Sequence, residues 1–295
     1  MKIKKRIKNV NISSDNQNLV ERASSQKRIL NEDTAFEIIE AYKAARTNIM
    51  FSLNGESGCK KIIITSPTSG EGKTTTCINL AMTFAQTDAK VLVMDSDLRA
   101  PRVHRYMKLE NDNGLSNVLA GFSSLNDCIH TDVLPNLDCL TSGAIPPNPV
   151  ELLSSEKMLE VFAELESKYE YIFIDTPPLN IVTEALILSK HTTGVILVTR
   201  QKYSIYKMIE RSINSLNFAG AKILGFILND ANDDKYVYGG YKINSSYRYG
   251  GKRSKYVRYG YFSSDHKKSV KNRTESAEKD AESEKNKKAE KSRNK

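Results

Sequence analysis

Apolar residues fall into six short runs along the middle of the chain, at 62–65, 91–94, 137–140, 171–175, 194–199 and 222–228. Runs of this length, rich in Ile, Val, Leu and Phe, predict strands buried on both faces, and the segments between them read as helices. Alternating strands and helical crossovers imply the α/β class: a mainly parallel sheet covered by helices on both faces. Such a sheet meets its ligands at the carboxyl ends of its strands, so the polar residues that end these runs are the first candidates for chemistry.

One helix is expected before the first strand. Thr34 and Glu37 form a capping-box pattern, and Phe36, Ile39, Tyr42, Ile49 and Leu53 return at helical spacing. On its polar side Glu40, Lys43 and Arg46 fall three apart. Spacing alone makes that ladder a solvated face with weak ion pairs.

The pattern stops at both ends. Residues 1–33 are polar, basic and aperiodic, which predicts a flexible arm. A single folded domain should then occupy 34–230. Residues 231–265 hold Tyr236, Tyr238, Tyr241, Tyr247, Tyr249, Tyr256, Tyr259 and Tyr261 among Gly, Ser, Lys and Arg, with hardly an aliphatic residue. A segment so composed cannot build a core and is expected to be disordered. Residues 266–295 form a low-complexity charged tail.

Charge follows the same seams. Residues 1–33 carry eight Lys/Arg against four Asp/Glu, 34–230 carry 18 against 22, and 231–295 carry 18 against nine, so the net +9 comes from the ends. Any polyanion contact should therefore be made by the tails and not by the domain. The four cysteines, Cys59, Cys77, Cys128 and Cys139, have no CxxC spacing and no histidine cluster, which argues against a zinc site or a disulfide framework. No run of 18 apolar residues occurs and the N-terminus lacks an apolar signal core, so a cytoplasmic chain without a membrane span is expected.

The candidate chemistry gathers at the first strand. The sequence SPTSGEGKTTT at 66–76 couples that strand to a helix through a loop whose Gly70 and Gly72 allow backbone N–H groups to turn around a polyphosphate. Ser69, Gly70, Glu71, Gly72, Lys73, Thr74 and Thr75 are the predicted nucleotide-binding residues. Lys73 is placed to reach the β- and γ-phosphates, and the Thr74 hydroxyl to ligate Mg²⁺. Pro67 stands where the usual pattern opens with a further glycine. Asp95 and Asp97 follow the second strand, and Asp175 ends the strand YIFID. Carboxylates there are expected to reach Mg²⁺, directly or through water, and Asp95 or Asp97 could accept a proton from an incoming hydroxyl. The interleaved tyrosines and basic residues could alternatively stack on single-stranded nucleic acid.

Taken in order, the run 69–74, DSDLRAP at 95–101, GAIPPNPVELLSS at 143–155, IDTPP at 174–178 and the terminal tyrosine cluster closely resemble the cytoplasmic bacterial tyrosine kinases of capsule and exopolysaccharide synthesis. The resemblance runs from about Thr34 to Phe262. It implies a P-loop NTPase fold with a Walker A motif at 66–74, an A′ motif at 91–97 and a Walker B motif at 172–175. It further implies ATP and Mg²⁺ as cofactors, with Lys73, Asp95, Asp97 and Asp175 as catalytic residues, Thr74 and the three aspartates at the metal, and Asn229 at the adenine.

By the same resemblance the eight tyrosines are autophosphorylated in trans, and Glu40, Lys43 and Arg46 join copies into a ring-shaped homo-oligomer, an octamer. Lysine at the middle place keeps the charge but loses the bidentate fork of arginine. Without a membrane span the chain resembles the split form of the family. That form implies a separate transmembrane activator that recruits it to the inner face of the membrane, and a cognate tyrosine phosphatase, with no nucleic acid as partner. The rival resemblance is to the partition and division-site ATPases, switches or scaffolds in which a basic tail would bind nucleic acid or membrane. Those ATPases carry a lysine where Thr68 stands here, and they lack a tyrosine cluster.

Overall fold

The computed structural model describes residues 29–231. The expectations for 1–28, and for 232–295 with its eight tyrosines, lie outside the described residues.

The elements run α1 (Phe36–Ser52), β1 (Lys60–Thr65), α2 (Lys73–Ala85), β2 (Val91–Asp95), α3 (Val103–Met107), α4 (Leu115–Leu119), α5 (Leu125–Cys128), β3 (Ile129–Leu134), β4 (Leu137–Leu140), α6 (Pro149–Leu153), α7 (Glu156–Glu166), β5 (Tyr171–Asp175), α8 (Glu184–Ser189), β6 (Gly194–Arg200), α9 (Tyr206–Phe218) and β7 (Ile223–Asn229). The seven strands order as β3-β4-β2-β5-β1-β6-β7. Every pair is parallel except β3 with β4.

Because successive side chains of a strand point to opposite faces, each apolar run divides between two cores. Ile62, Ile64, Val91, Val93, Phe173, Ile196 and Val198 pack on one face with α1, α2 and α3. Ile63, Leu92, Met94, Ile172, Ile174, Val195 and Leu197 pack on the other with α4 to α9. This is why the runs are continuously apolar and do not alternate. Phe84 of α2 meets Phe173 edge-on at 5.0 Å and Tyr171 at 4.7 Å, which seats α2 and the loop before it on the central strands.

Two expectations are corrected. The Thr34–Glu37 capping box does not form: the Thr34 hydroxyl accepts from the Asn31 N–H in a turn closed by Thr34 N–H to Asn31 O, and α1 begins at Phe36 with no side-chain cap. Phe36 is accordingly exposed, and α1 is held by Ile49 and Leu53. Just before it, Leu30 is buried and its N–H donates to Asn79 Oδ1 of α2. The other correction is at the sheet edge, where β3 turns back antiparallel to β4 through Pro135 and Asn136, the latter at φ 62°. The polar residues His130, Thr131 and Asp132 in β3 hid that strand, since an edge strand has one face in water and needs no continuous apolar run.

Candidate active site

The sheet order places β5 between β1 and β2, so the ends of three strands meet at one point. Backbone register sets Asp95 beside Asp175 and Asp175 beside Ile64. The strand ends are then sewn together: Ser96 N–H donates to Asp175 O, Thr65 Oγ1 to Pro177 O, Thr176 Oγ1 to Ile64 O and Leu179 N–H to Ser66 O.

Beyond β1 the loop turns through Gly70 at φ 83° and Gly72 at φ 93° into the N-terminus of α2. Its free N–H groups and the positive end of the helix dipole make this a ready anion cradle. Glu71 is fully buried, and its side chain does not face a ligand. Its Oε1 accepts from Thr68 N–H at 2.9 Å and Thr68 Oγ1 at 2.6 Å, and its Oε2 accepts from Ser204 Oγ. Asn229, at the end of β7, donates from Nδ2 to Glu71 O at 2.9 Å. The loop is thus braced from beneath by side chains of β7 and of the turn after β6.

A Cβ added at Gly72 would lie 2.1 Å from Asn229 Nδ2, in a backbone conformation that costs an alanine about 1–3 kcal/mol. Gly72→Ala is therefore expected to weaken nucleotide binding at least tenfold in a fluorescent-ADP titration. Adding Asn229→Ala should restore only part of it, because the clash is relieved and the positive φ is not.

Lys73 lies between two carboxylates. Its Nζ is 2.9 Å from Asp97 Oδ2 and 3.6 Å from Asp175 Oδ1. Burial works against its ammonium, but Asp175 and Asp97 outweigh it and hold the lysine pKa above its usual value. The Thr74 hydroxyl donates to Asp175 Oδ2 at 2.6 Å. Asp175 Oδ1 is buried with no hydrogen-bond partner among the described residues. Burial raises the Asp175 pKa, with Lys73 and Thr74 acting against it.

Asp95 is placed differently from its two neighbours. Its Oδ1 accepts from Asp97 N–H at 3.1 Å, and its Oδ2 accepts from Arg102 N–H at 3.2 Å and Val103 N–H at 3.1 Å. Burial, then the charge of Asp175, push its carboxyl up to about 8. Its visible work is to shape the loop that carries Asp97, whose Oδ1 accepts from Ala100 N–H at 3.1 Å.

The donor set fits Mg²⁺. A fully buried carboxylate oxygen that no hydrogen bond satisfies, Asp175 Oδ1, sits beside a threonine hydroxyl at the helix N-terminus, all hard oxygen ligands. Mg²⁺ needs only one or two carboxylates and takes its other ligands from water and phosphate. All four cysteines are free, and burial raises the thiol pKa of Cys77 and Cys139, so no nucleophilic sulfur competes at the site.

The strand ends also bring in residues that motif reading missed. Tyr203, in the turn after β6, donates from its hydroxyl to Ser69 O at 3.0 Å, and Arg200 lies over its ring at 5.4 Å. Arg200 is itself held by Asp230 through Nε at 3.0 Å and Nη2 at 2.8 Å. The signal was available, since these residues end an apolar run in a parallel sheet. The expected ring-forming ladder is engaged within the chain: Lys43 Nζ pairs with Glu40 at 2.9 Å, and Arg46 donates to Thr83 O of α2.

Comparison with known proteins agrees with this geometry. An AAA domain family model matches residues 59–218. The tyrosine-protein kinase YwqD of Bacillus subtilis (strain 168) is 39% identical over 223 residues, 76% of this chain and 85% of that protein. The tyrosine-protein kinase CpsD of Streptococcus agalactiae is 36% identical over 203 residues, 68% of this chain and 87% of that protein. Of some longer tyrosine-protein kinases the chain spans only 26% of the length. Among solved structures, the chimerical protein CapA2B2 superposes with a TM-score of 0.61 at 38% identity, covering 63% of this chain and 82% of that one. The septum site-determining protein MinD of Pyrococcus horikoshii OT3 shares the fold at a TM-score of 0.50 and 31% identity, over 58% of this chain and 70% of that one. A nucleotide-binding P-loop core, matched over most of the length of these shorter kinases and less fully by the division-site ATPase, makes this chain a member of the bacterial tyrosine-protein kinase family.

Proposed function

We propose that this kinase transfers the γ-phosphoryl group of ATP to tyrosines in 236–261 of a neighbouring copy, and that the degree of phosphorylation regulates synthesis and export of a capsular or extracellular polysaccharide. The observation that carries the reading is the meeting of Lys73, Thr74, Asp97 and Asp175 at the mouth of one anion cradle, within a chain that also carries eight clustered tyrosines.

In this reading the loop N–H groups and the α2 N-terminus bind the phosphates, and Lys73 turns from its aspartates to the β- and γ-phosphates. Thr74 and Asp175 would hold Mg²⁺. Such an ion, when bound, would supply positive charge to offset the negative charge that develops on the phosphoryl group during transfer. Asp97 is the better general base than Asp95, because both oxygens of Asp95 are taken by backbone N–H groups. It accepts the tyrosine proton as the Tyr O–P bond forms and the bond to the β–γ bridging oxygen breaks, releasing ADP. Asn229 and Glu71 position the loop, and Tyr203 with Arg200 sits over its entry, where the base of the nucleotide would lie.

A separate transmembrane activator is proposed as partner, supported by relatives more than twice as long as this chain and by a solved relative that is a chimera. Among the described residues no helix is long and apolar enough to cross a membrane, so recruitment to its cytoplasmic face would rest on that partner. Assembly into a ring through Glu40, Lys43 and Arg46 and reset by a tyrosine phosphatase complete the proposal, and nucleic acid has no part in it.

The test is phosphotyrosine mapping by mass spectrometry on the full chain with Mg·ATP, with and without the cytoplasmic tail of a candidate activator. Phosphate concentrated in 236–261 and stimulated by the activator supports the reading. ATP turnover without phosphotyrosine in either condition would replace it with a nucleotide-switched scaffold.

A further inference from the structure

Beside the A′ aspartates lies a cleft of about 390 Å³ that the reaction above does not use. Arg99, Arg102 and Arg105 line it with Pro101, Asn111 and Ile145. The ten residues from 99 to 108, RAPRVHRYMK, contain four Lys/Arg at intervals of three and no carboxylate, in a domain that is otherwise slightly acidic. Three of the six arginines between residues 29 and 231 are in this one cleft. Arg102 and Arg105 are exposed, and neither guanidinium has a carboxylate partner among the described residues. Arg99 is anchored through Nε to the buried Glu184 at 2.6 Å, which leaves the outer nitrogens of its fork free to turn toward the cleft. Ile145, 64% exposed, supplies an apolar contact at the rim.

Exposed arginine forks converging on a cleft with an apolar edge suit a planar ring that carries a phosphate. Position narrows the ligand further. Arg99 is two residues beyond Asp97, within about 7 Å along an extended chain, and Ala100 N–H is bonded to Asp97 Oδ1, so the cleft opens beside the carboxylate assigned to the tyrosine hydroxyl. In the tail the tyrosines fall in groups with neighbours two or three residues apart, Tyr236/Tyr238/Tyr241, Tyr247/Tyr249 and Tyr256/Tyr259/Tyr261. Extended chain covers about 7–10 Å over those intervals, the same reach. The unmodified segment 231–265 carries seven Lys/Arg and three Asp, so an arginine cleft repels it. Each phosphate adds about −1.5 to −2 charge, which offsets up to half of that net +4 and places an anion at the modified tyrosine.

We infer that the Arg99/Arg102/Arg105 cleft is a phosphotyrosine-binding subsite for the tail. A tyrosine already modified docks there and holds its neighbour two or three residues away at Asp97, so that each cluster is phosphorylated as a primed series. The inference rests on the proposed autophosphorylation and specifies how the tail is presented to it.

The test separates the two. Fluorescent peptides of residues 252–263 with Tyr259 unmodified, phosphorylated or changed by Tyr259→Glu are titrated by anisotropy against the full chain in Mg·ADP, where no transfer occurs. The phosphopeptide should bind at least tenfold more tightly than the unmodified one, and Arg102→Ala/Arg105→Ala should reduce that difference below about twofold. The thermal shift given by Mg·ADP should match the original chain's, certifying that the variant is folded. Equal binding of the first two peptides, a preference that survives the double variant, or a Tyr259→Glu peptide as tight as the phosphopeptide would each overturn the subsite, the last by showing a general anion patch. In Mg·ATP, absence of phosphotyrosine from the original chain would instead remove the autophosphorylation reading, whatever the anisotropy gives.

Discussion

A Lys73→Met chain should form at least a thousandfold less phosphotyrosine than the original chain and, without nucleotide, should also unfold at a lower temperature. The first effect follows from removing a positive charge aimed at the transferring phosphoryl group, where one preorganised donor contributes about 10²–10³ in rate and Lys73 also organises binding. The second follows from its present neighbours. Lys73 Nζ is 2.9 Å from Asp97 and 3.6 Å from Asp175, with Asp95 buried close behind. Methionine leaves those carboxylates facing one another without a counter-charge, and breaking a buried pair from one side costs about 3–5 kcal/mol. For a domain of this size 3 kcal/mol lowers Tm by roughly 6–12 °C.

The pH dependence of that loss has a definite sign. Asp175 already titrates above its ordinary value through burial, and removing Lys73 takes away a charge that was lowering it. A carboxyl whose folded pKa lies above its unfolded one binds its proton better in the folded state. The destabilisation is therefore smallest below about pH 4, the unfolded carboxyl value, and grows as pH rises toward the folded value. Thermal unfolding of both chains at pH 5 and pH 8 checks this: the gap in Tm should be wider at pH 8. A gap that narrows would mean that Lys73 does not neutralise this cluster.

Asp175→Asn should lower tyrosine phosphorylation about 10²–10³-fold and erase the part of the ADP-induced thermal shift that requires Mg²⁺. Asparagine keeps one oxygen to accept from the Thr74 hydroxyl, so the loop should stay folded. What is lost is the charge and the second oxygen, which accepts no hydrogen bond and is the one proposed to ligate the cation. The measurement is thermal unfolding in ADP with Mg²⁺ against ADP with EDTA. The original chain should show an added stabilisation with Mg²⁺, and the variant should show none.

Asp95→Asn provides the contrast. Its carboxylate accepts three backbone N–H groups, and an amide would point N–H at N–H. The expected result is a loss of about 1–3 kcal/mol in stability with the Mg²⁺ increment largely kept. If Asp95→Asn removed the increment and Asp175→Asn did not, the roles given to the two strand ends would be exchanged.

Most of the architecture was legible because burial on both faces leaves an apolar run, and the five interior strands are of that kind, while the edge strand β7 keeps an apolar run although Phe226 and Leu228 are exposed. The edge strand β3 escaped because it is half in water and carries His130, Thr131 and Asp132. At the start of α1 the local pattern misled: Thr34 has a nearer partner in the Asn31 turn, and the helix starts where that turn ends.

The site divides in the same way. Its phosphate loop is a local object, in which Gly70, Gly72, Lys73 and Thr74 act through backbone and side chains within a few residues, so spacing alone specified it. Sequence likewise determined the strand–helix alternation and the kinase family, since both lie in patterns of adjacent residues. Tertiary structure alone decided which way each side chain points. It turned Glu71 inward to Thr68 and Ser204, set Asn229 under the loop and Tyr203 over it, and gave Asp95 to backbone N–H groups while leaving an oxygen of Asp175 with no hydrogen bond. The contacts of Ser204, Asn229 and Tyr203 depend on partners brought near by the sheet order, more than 130 residues away in the chain, whereas Asp95 takes its N–H groups from the next two to eight residues. A side chain's free energy is decided by whichever donor, acceptor or charge the fold places within about 3 Å of it, and linear spacing carries no record of that.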